Sequence, residues 1–511
     1  MIVKNIEFNR EKLLIGLAKL NDAVSSTMGP MGRTVLMESE SHIGGVTVTK
    51  DGVTVARGIT LEDPIENLAV TLMKQAADRT AMMAGDGTTT SIVLTHAIID
   101  VFIALGLQPT SYNLRRVKED AEKVIEKLKE MAIPVTDETL LDVATISANG
   151  DKAIGELVHD VYTKVGKDGV VTVERSNTSK TYSEMSSGMR VSRGWQSPYY
   201  ITDHKKREAV LDNPYILVTN REIQSLQSIE HILGPILRDG KSVLIIGEMN
   251  MQATNALNMN VAKGTIKAAQ ILPPQFGYRR KQLMQDIAAA TGAKYISEDV
   301  GDDFGLLTVA DLGRADKAIV GKDSTILVRE DDSAAKERIE AIREMEITDE
   351  EDKKFQEERI ATLNGSVAVI YVGASTDIEQ KEKYDRVDDA VCATKAAIEE
   401  GILPGGGYAL LKISEGMEEN SVMTSAITAP FYMILENAGL DMDLIEDVCS
   451  RFDKDGLGFN PVTEEFVDMV AEGIVDPAKV TRSAIENAVS VATTILSTDA
   501  IIYNLRDASS K

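Results

Sequence analysis

Apolar positions recur at mixed spacings of three and four through Leu68, Val70, Leu72, Met73 and Ala76, which predicts a helix over 65–83. Ile92, Val93, Leu94, Ala97, Ile98 and Ile99 predict a second apolar helix just downstream. Between them stands Ala84-Gly85-Asp86-Gly87-Thr88-Thr89-Thr90, so Gly-Asp-Gly breaks one helix and three threonines open the next. Upstream, Ser26-Thr27-Met28-Gly29-Pro30-Met31-Gly32-Arg33 is a strong turn signal. Two short apolar runs, 34–37 and 46–49, predict a hairpin joined through Gly44-Gly45, and Lys50-Asp51-Gly52 closes its second strand.

Farther along, 114–131 predicts a long amphipathic helix ended by Pro134. Residues 145–151 form a polar break before a helix running to Gly166, and 170–173 predicts a strand. From about Gly188 short buried-type strands (216–218, 243–246, 266–271, 295–296) alternate with helices (226–237, 252–262), the pattern of an α/β domain. A charge-dense run over 329–358 predicts long solvated helices, and 367–372 another strand. Val387-Asp388-Asp389-Ala390 is expected to start a helix ending at Glu400-Gly401. Pro404-Gly405-Gly406-Gly407 follows, then helices to about Thr494. This order is symmetric about its middle, so both termini are expected to build one helical domain with another inserted. The crossings near Gly188 and Gly365-Ser366 are hinge candidates.

The 511 residues suffice for several domains. A net charge of −25 argues against nucleic acid and anionic membrane surfaces as partners. Two cysteines, Cys392 and Cys449, are too few for a disulfide framework and point to a reducing cytoplasm. No signal peptide and no membrane-spanning run is visible. The five histidines (His42, His96, His159, His204, His231) lack metal-ligand spacing.

The chemistry concentrates at 84–90. A helix N-terminus offers free N–H groups and a positive dipole end, which suits phosphate. Glycines let the backbone approach an anion, and hydroxyls add hydrogen bonds. Asp86 cannot bind phosphate directly, so its natural partner is a divalent cation such as Mg²⁺. A plain helix–turn–helix with a threonine cap is the competing reading, but six small or polar residues between apolar helices favour a phosphate loop. Asp51 is either a turn residue or a second carboxylate near that loop. Gly240-Lys241-Ser242 is no Walker A motif, because Pro235 stands where glycine is needed and a strand follows. Asp453-Lys454-Asp455-Gly456 is a turn, its glycine coming too early for a calcium loop.

Taken in order, these motifs resemble the group I chaperonins, the GroEL type, over nearly the whole chain. They include Thr27 to Pro30, Lys50-Asp51-Gly52, Ala84 to Thr90, Ile146-Ser147-Ala148-Asn149, Arg193-Gly194-Trp195-Gln196-Ser197-Pro198-Tyr199 and Phe276-Gly277-Tyr278-Arg279-Arg280-Lys281. Val387 to Ala390, Gly401 to Gly407 and Gly473 to Arg482 complete the set. The resemblance implies a multi-domain α and α/β chaperonin fold. It has an equatorial ATP-binding domain (1–131 and 401–511), an intermediate hinge domain (132–187 and 367–400) and an apical client-binding domain (188–366). It implies an ATP-hydrolysing chaperone in a homo-oligomeric, seven-fold ring that binds non-native proteins in the cytoplasm, with or without a GroES-type co-chaperonin.

Carried over residue by residue, Thr27, Met28, Gly29, Pro30, Gly87, Thr88, Thr89 and Thr90 match the phosphate contacts. Lys50 and Asp51 match residues beside the γ-phosphate, Asp51 positioning the attacking water. Asp86 matches the Mg²⁺ ligand, with K⁺ as a second cation the family allows. Gly406, Asn460, Val462, Ile474 and Asp476 match the adenosine pocket, Asp476 at the ribose. Asp389 matches the carboxylate that promotes hydrolysis; without the resemblance, it and Asp388 are equally well read as acids favoured at a helix start. Arg193 with Asp377 matches an inter-subunit pair, and Asp151 with Arg386 an intrasubunit latch.

Trp195, Tyr199, Tyr200, Leu233 and Met259 match the apolar client groove, but Glu230, Thr254 and Asn258 stand where typical members carry aliphatic residues. A lid would dock on this same groove. Asp507-Ala508-Ser509-Ser510-Lys511 replaces the usual Gly-Gly-Met tail, Tyr432 replaces an inter-ring arginine while Asp441 keeps its acid, and Met31 replaces a lysine. These departures mark a divergent member. A holdase or structural ring without productive encapsulation is the alternative, and an ordinary small-substrate phosphotransferase a third, for which no substrate pocket is evident.

Overall fold

The computed structural model describes residues 4–7, 11–38, 46–166, 169–176, 178–204, 206–329, 331, 333–345, 350–363, 365–452 and 457–504. His42, the Gly44-Gly45 turn, the 453–456 turn and the 507–511 tail lie outside the described residues. The chain forms two compact units. One comprises Met1–Thr163, Val173–Tyr182 and Tyr371–Lys511; the other comprises Lys164–Thr172 and Ser183–Ile370.

The first unit is helical and built from both ends of the chain. Strand Lys4–Glu7 pairs antiparallel with Ile501–Asn504, Lys4 opposite Asn504. The helical domain expected from both termini thus also carries a two-stranded sheet that joins them. Helices Glu11–Ser25, Pro64–Ala84, Thr88–Ala104 and Ala478–Ser497 form the core, burying Leu17, Leu20, Met73, Leu94, Ile98, Ala488 and Ala492. Thr88–Ala104 is apolar nearly all round because it lies inside this bundle. Gly16 permits a close helix contact: a Cβ there would lie 2.4 Å from the Glu66 carbonyl oxygen. The hairpin forms as expected, Val35–Glu38 against Val46–Thr49.

Further helices of this unit include Asp137–Ser147, Asp377–Glu400 and all but the last two residues of Lys152–Val165. The expected break over 145–151 is shorter, since Thr145 to Ser147 finish a helix. Asp388 and Asp389 do not start a helix. Asp377–Glu400 begins eleven residues earlier, capped by the Thr376 side chain on the Glu379 N–H. Small strands also interrupt the late helical region: Ile402–Pro404 pairs with Val475–Pro477, and Gly458–Asn460 with Glu465–Val467.

The second unit is α/β. Its first sheet has parallel strands in the order Tyr295–Ile296, Tyr215–Thr219, Val243–Ile246, Ala268–Ile271. Helices cover it, so the strand residues are almost all buried, as parallel sheets require. The 329–358 run is not simply solvated. Helices Ser333–Arg343 and Glu350–Leu363 bury Ile339, Ile342, Phe355 and Arg359. Arg359 pairs in two directions with buried Asp286, at 2.6 and 2.8 Å, and Arg338 reaches the same carboxylate at 2.8 Å. Gly188 lies inside a strand opposite Val328. A Cβ there would sit 2.4 Å from Val367, so close packing accounts for this glycine.

Candidate functional site

The first turn of the site follows helix Glu11–Ser25. Thr27 folds back on the helix end, its N–H and hydroxyl both donating to the Val24 carbonyl at 3.1 and 2.7 Å. Gly29 takes a left-handed conformation (φ 83°), and Gly32 N–H closes the turn on the Gly29 carbonyl at 3.0 Å. A Cβ on Gly32 would lie 2.0 Å from the Thr27 oxygen, so only glycine fits.

The second turn joins two helices end to end. Pro64–Ala84 terminates at left-handed Gly85 (φ 77°), and Thr88–Ala104 starts at left-handed Gly87 (φ 80°), which supplies no side-chain cap. The first-turn N–H groups of Thr88, Thr89 and Thr90 have no acceptor in their own helix. Asp86, between the glycines, accepts from the Gly87 N–H at 2.5 Å.

Three glycines show how tightly other elements close on this turn. A Cβ on Gly52 would lie 2.0 Å from the Thr89 hydroxyl, which brings Lys50 and Asp51 alongside. One on Gly85 would lie 2.2 Å from the Cys392 Cβ, which brings in helix Asp377–Glu400. One on Gly87 would lie 2.5 Å from Val480. Asp51 is the cap of helix Gly52–Gly58, accepting from the Val53 and Thr54 N–H groups at 2.9 and 3.0 Å. Asp51 is therefore a cap residue whose helix start lies against the Thr89 turn.

The electrostatics tie the acids together. Burial raises the pKa of Asp86, and the charge of Asp51 adds to it. Burial raises Asp389 well above the usual carboxylate range, with Asp51, Asp86, Asp388 and Asp385 contributing. Burial and the Asp86 charge push Asp476 up to about 7. Each keeps part of its surface open, while surrounding protein strips away most of the water. Among the described residues no three acidic, histidine or cysteine side chains are close enough to hold a metal by themselves. Carboxylates that repel one another without closing on a cage fit a hard cation that brings oxygen ligands of its own, as Mg²⁺ does with phosphate and water.

Beyond this cluster, Gly405 N–H bonds to the Ile474 carbonyl at 2.8 Å, and left-handed Gly406 donates its N–H to the Asp476 carboxylate. Asp476 stands opposite Leu403 in the short Ile402–Pro404 and Val475–Pro477 pair. Asn460 ends a strand and accepts from the Val462 N–H at 3.0 Å, leaving Val462 exposed. Lys50 is exposed.

Sequence reasoning missed several supports. Asn437, at the end of helix Ala429–Asn437, donates to the Ser25 and Met28 carbonyls at 2.8 and 2.9 Å. A lone amide in an apolar helix gave no signal. Arg482 pairs with Glu400 at 2.6 Å and Lys479 with Glu399 at 2.5 Å, anchoring the end of the helix that carries Asp389. Asp151 and Arg386 do meet, at 3.2 Å, with Glu382 on the same guanidinium at 2.7 Å.

A model of the TCP-1/cpn60 chaperonin family matches residues 20–505. The chain belongs to that family. Among solved structures, this chaperonin is similar to the chaperonin gp146 from bacteriophage EL 2 (Pseudomonas aeruginosa), crystallised in presence of ATP-BeFx in two forms. One form gives 26% identity, a TM-score of 0.68 and coverage of 97% of this chain and 98% of that one. The other gives 25%, 0.64, 98% and 99%. The chaperonin fold and a divergent sequence are thus both established. No helix among the described residues is long and apolar enough to cross a membrane.

In the α/β unit of this chaperonin, Tyr199 and Met259 are 60% and 59% exposed, and Trp195 is half-buried with its indole N–H on the Arg207 carbonyl. Tyr200 and Leu233 correct the expectation: both are buried in the core of the unit and offer no surface to a client. Each sits where its element turns inward, Tyr200 in a one-turn 3₁₀ segment and Leu233 on the inner face of helix Glu230–Arg238. Arg193 bonds to the Pro273 carbonyl and lies over the Phe276 ring.

Proposed function

We propose that this chain is an ATP-hydrolysing folding chaperone working as a homo-oligomeric ring, with Mg²⁺ as the essential cation. The observation that carries the reading is Asp389: it lies close enough to Asp51 and Asp86 for their charges to raise its pKa, on a helix that packs against the Gly85 turn through Cys392. The similar phage chaperonin crystallised with ATP-BeFx supports the choice of nucleotide. Bound Mg²⁺-ATP supplies the phosphoanhydride and the positive charge that offsets the acids. Around it, the 27–30 turn and the N–H groups of Thr88, Thr89 and Thr90 hold phosphate oxygens. Asp86 holds the cation. Asp51 and Asp389 accept hydrogen bonds from the attacking water and orient it; phosphoryl transfer asks for positioning and charge neutralisation more than covalent help. Asp476 accepts from a ribose hydroxyl, with Gly406, Asn460, Val462 and Ile474 around the nucleoside.

On the division that the resemblance implies, Asp389 belongs to an intermediate-domain helix and Asp86 to an equatorial loop, both within one compact unit of this chain. ATP drives movement by binding one arrangement of these domains better than another. Non-native clients dock on Tyr199, Met259 and Trp195. Glu230, exposed at the start of helix Glu230–Arg238, and half-buried Thr254 and Asn258 make this face polar. That polarity favours one second reading, a holdase, and makes use of a co-chaperonin lid a separate question.

Steady-state phosphate release tests the enzymatic part. Asp389→Ala is expected to lower kcat about a hundredfold or more with the KM for ATP within about threefold, because the residue acts on the water rather than on nucleotide binding. Light scattering tests assembly: a large ring is expected, and a monomer would favour a small-substrate phosphotransferase instead.

A further inference from the structure

We infer that Asn437 is a positioning residue for nucleotide binding, a role that rests on the proposed ATP site. Its amide nitrogen has two hydrogens and spends both on the backbone of the first phosphate turn. One goes to the Ser25 carbonyl at 2.8 Å and one to the Met28 carbonyl at 2.9 Å. Ser25 is the last residue of helix Glu11–Ser25, and Met28 immediately precedes left-handed Gly29. The two bonds therefore span the stretch where the chain leaves the helix and bends toward the site. Ser25 carries one of the helix-end carbonyls without an intrahelical donor; it accepts from the Met28 N–H at 3.0 Å as well as from Asn437.

The amide orientation is fixed by its surroundings. Two carbonyl oxygens face it, so the nitrogen must point inward; the oxygen there would meet only acceptors. The group is carried on a stable support. Helix Ala429–Asn437 ends in a C-terminal motif, with left-handed Gly439 (φ 85°) donating to Glu436 at 2.9 Å and Leu440 to Leu435 at 3.3 Å. Ile434 of the same helix packs under the turn, 3.1 Å from where a Gly29 Cβ would be. One helix thus braces the phosphate turn from behind with a side-chain contact and a double hydrogen bond. Bracing fixes the backbone N–H groups of the turn before nucleotide arrives, so binding need not order them.

The test compares wild type, Asn437→Ala and Asn437→Asp as the full chain. Readouts are calorimetric binding of Mg²⁺-ADP, the KM and kcat for ATP, and hydrogen exchange at Gly32 and Arg33, whose N–H groups close the turn. Asn437→Ala is expected to bind Mg²⁺-ADP about tenfold more weakly, one or two net hydrogen bonds' worth. Its KM should rise by a similar factor while kcat falls less than threefold, and exchange at Gly32 and Arg33 should quicken. Asn437→Asp should be worse than alanine in each readout, because a carboxylate would face two carbonyl oxygens. A merely structural role would lower thermal stability while leaving KM unmoved, and that result overturns the inference. Equal binding by wild type and both variants overturns it too, and leaves the ATP site standing. If wild type binds no Mg²⁺-ADP, the proposed function fails, and the inference with it.

Discussion

Gly85 and Cys392 approach so closely that a Cβ on the glycine would lie 2.2 Å from the cysteine Cβ. The contact sets helix Asp377–Glu400, and with it Asp389, against the turn that presents Asp86. It also makes a sharp prediction. Gly85→Ala meets both a left-handed backbone (φ 77°), costing about 1–2 kcal/mol, and this collision. ATP hydrolysis should fall at least tenfold, and the melting temperature by about 2–6 °C. Cys392→Ala should not rescue the variant, because the colliding atom is Cβ and alanine keeps it. Recovery of hydrolysis in the double variant would show that the sulfur, not the helix approach, is limiting.

The raised acids predict the pH dependence of the nucleotide-free protein. Asp476 titrates near about 7 when folded and, like any exposed aspartate, near about 3.9 when unfolded. Between those values the folded state holds a proton that the unfolded state has released. Its contribution to stability is therefore fully present below about pH 4 and is lost as pH rises to about 7. Asp86 and Asp389 are raised and act in the same direction. Melting temperatures without nucleotide should fall from pH 5 to pH 8, and Asp476→Asn should flatten the fall. A steeper fall in the variant would contradict the assignment.

Asp151 has two roles that substitution can separate. It caps helix Lys152–Val165 through the Ala153 and Ile154 N–H groups at 3.1 and 3.3 Å, and it pairs with Arg386. Asn retains the cap and loses the charge, while Ala loses both. Asp151→Asn should cost about 0–1 kcal/mol and Asp151→Ala about 1 kcal/mol more, measured by urea denaturation. Equal losses would mean that the cap contributes nothing.

The buried Arg359–Asp286 pair predicts a different pattern in the α/β unit. Arg359→Met leaves a buried carboxylate with only Arg338 beside it, and should destabilise by about 3 kcal/mol. Changing Asp286→Leu as well should recover most of that, since the buried carboxylate is then gone and Arg338, about a fifth exposed, is nearer to water. A double variant less stable than the single one would show that the pair is worth more than its desolvation cost.

The turn between helices Pro64–Ala84 and Thr88–Ala104 is legible because its glycines and threonines interrupt two strongly apolar helices, a local signal. The α/β unit was legible from buried strand runs such as Val243 to Ile246. Features that depend on distant partners were not. Four-residue strands at the two ends of the chain carry no mark of their pairing. Asp388 and Asp389 are equivalent in sequence, and only the fold shows that Asp389 lies within reach of the charges of Asp51 and Asp86. The helix containing them was started too late because its polar first turns, 377–386, carry little apolar periodicity. Tyr200 and Leu233 match the client groove only through the family resemblance, and a matched position does not say which face of its element the fold turns inward. Asn437 was missed because one amide among apolar residues reveals nothing until its two carbonyls are found.

On the proposed function, hydrolysis at this site drives the folding of client proteins. The most direct test is recovery of an aggregation-prone, chemically denatured enzyme by this protein alone with Mg²⁺-ATP, compared with Asp389→Ala. Recovered activity with wild type and none with the variant is the predicted result. Equal suppression of aggregation by both, with no activity regained by either, would contradict the account and favour the holdase.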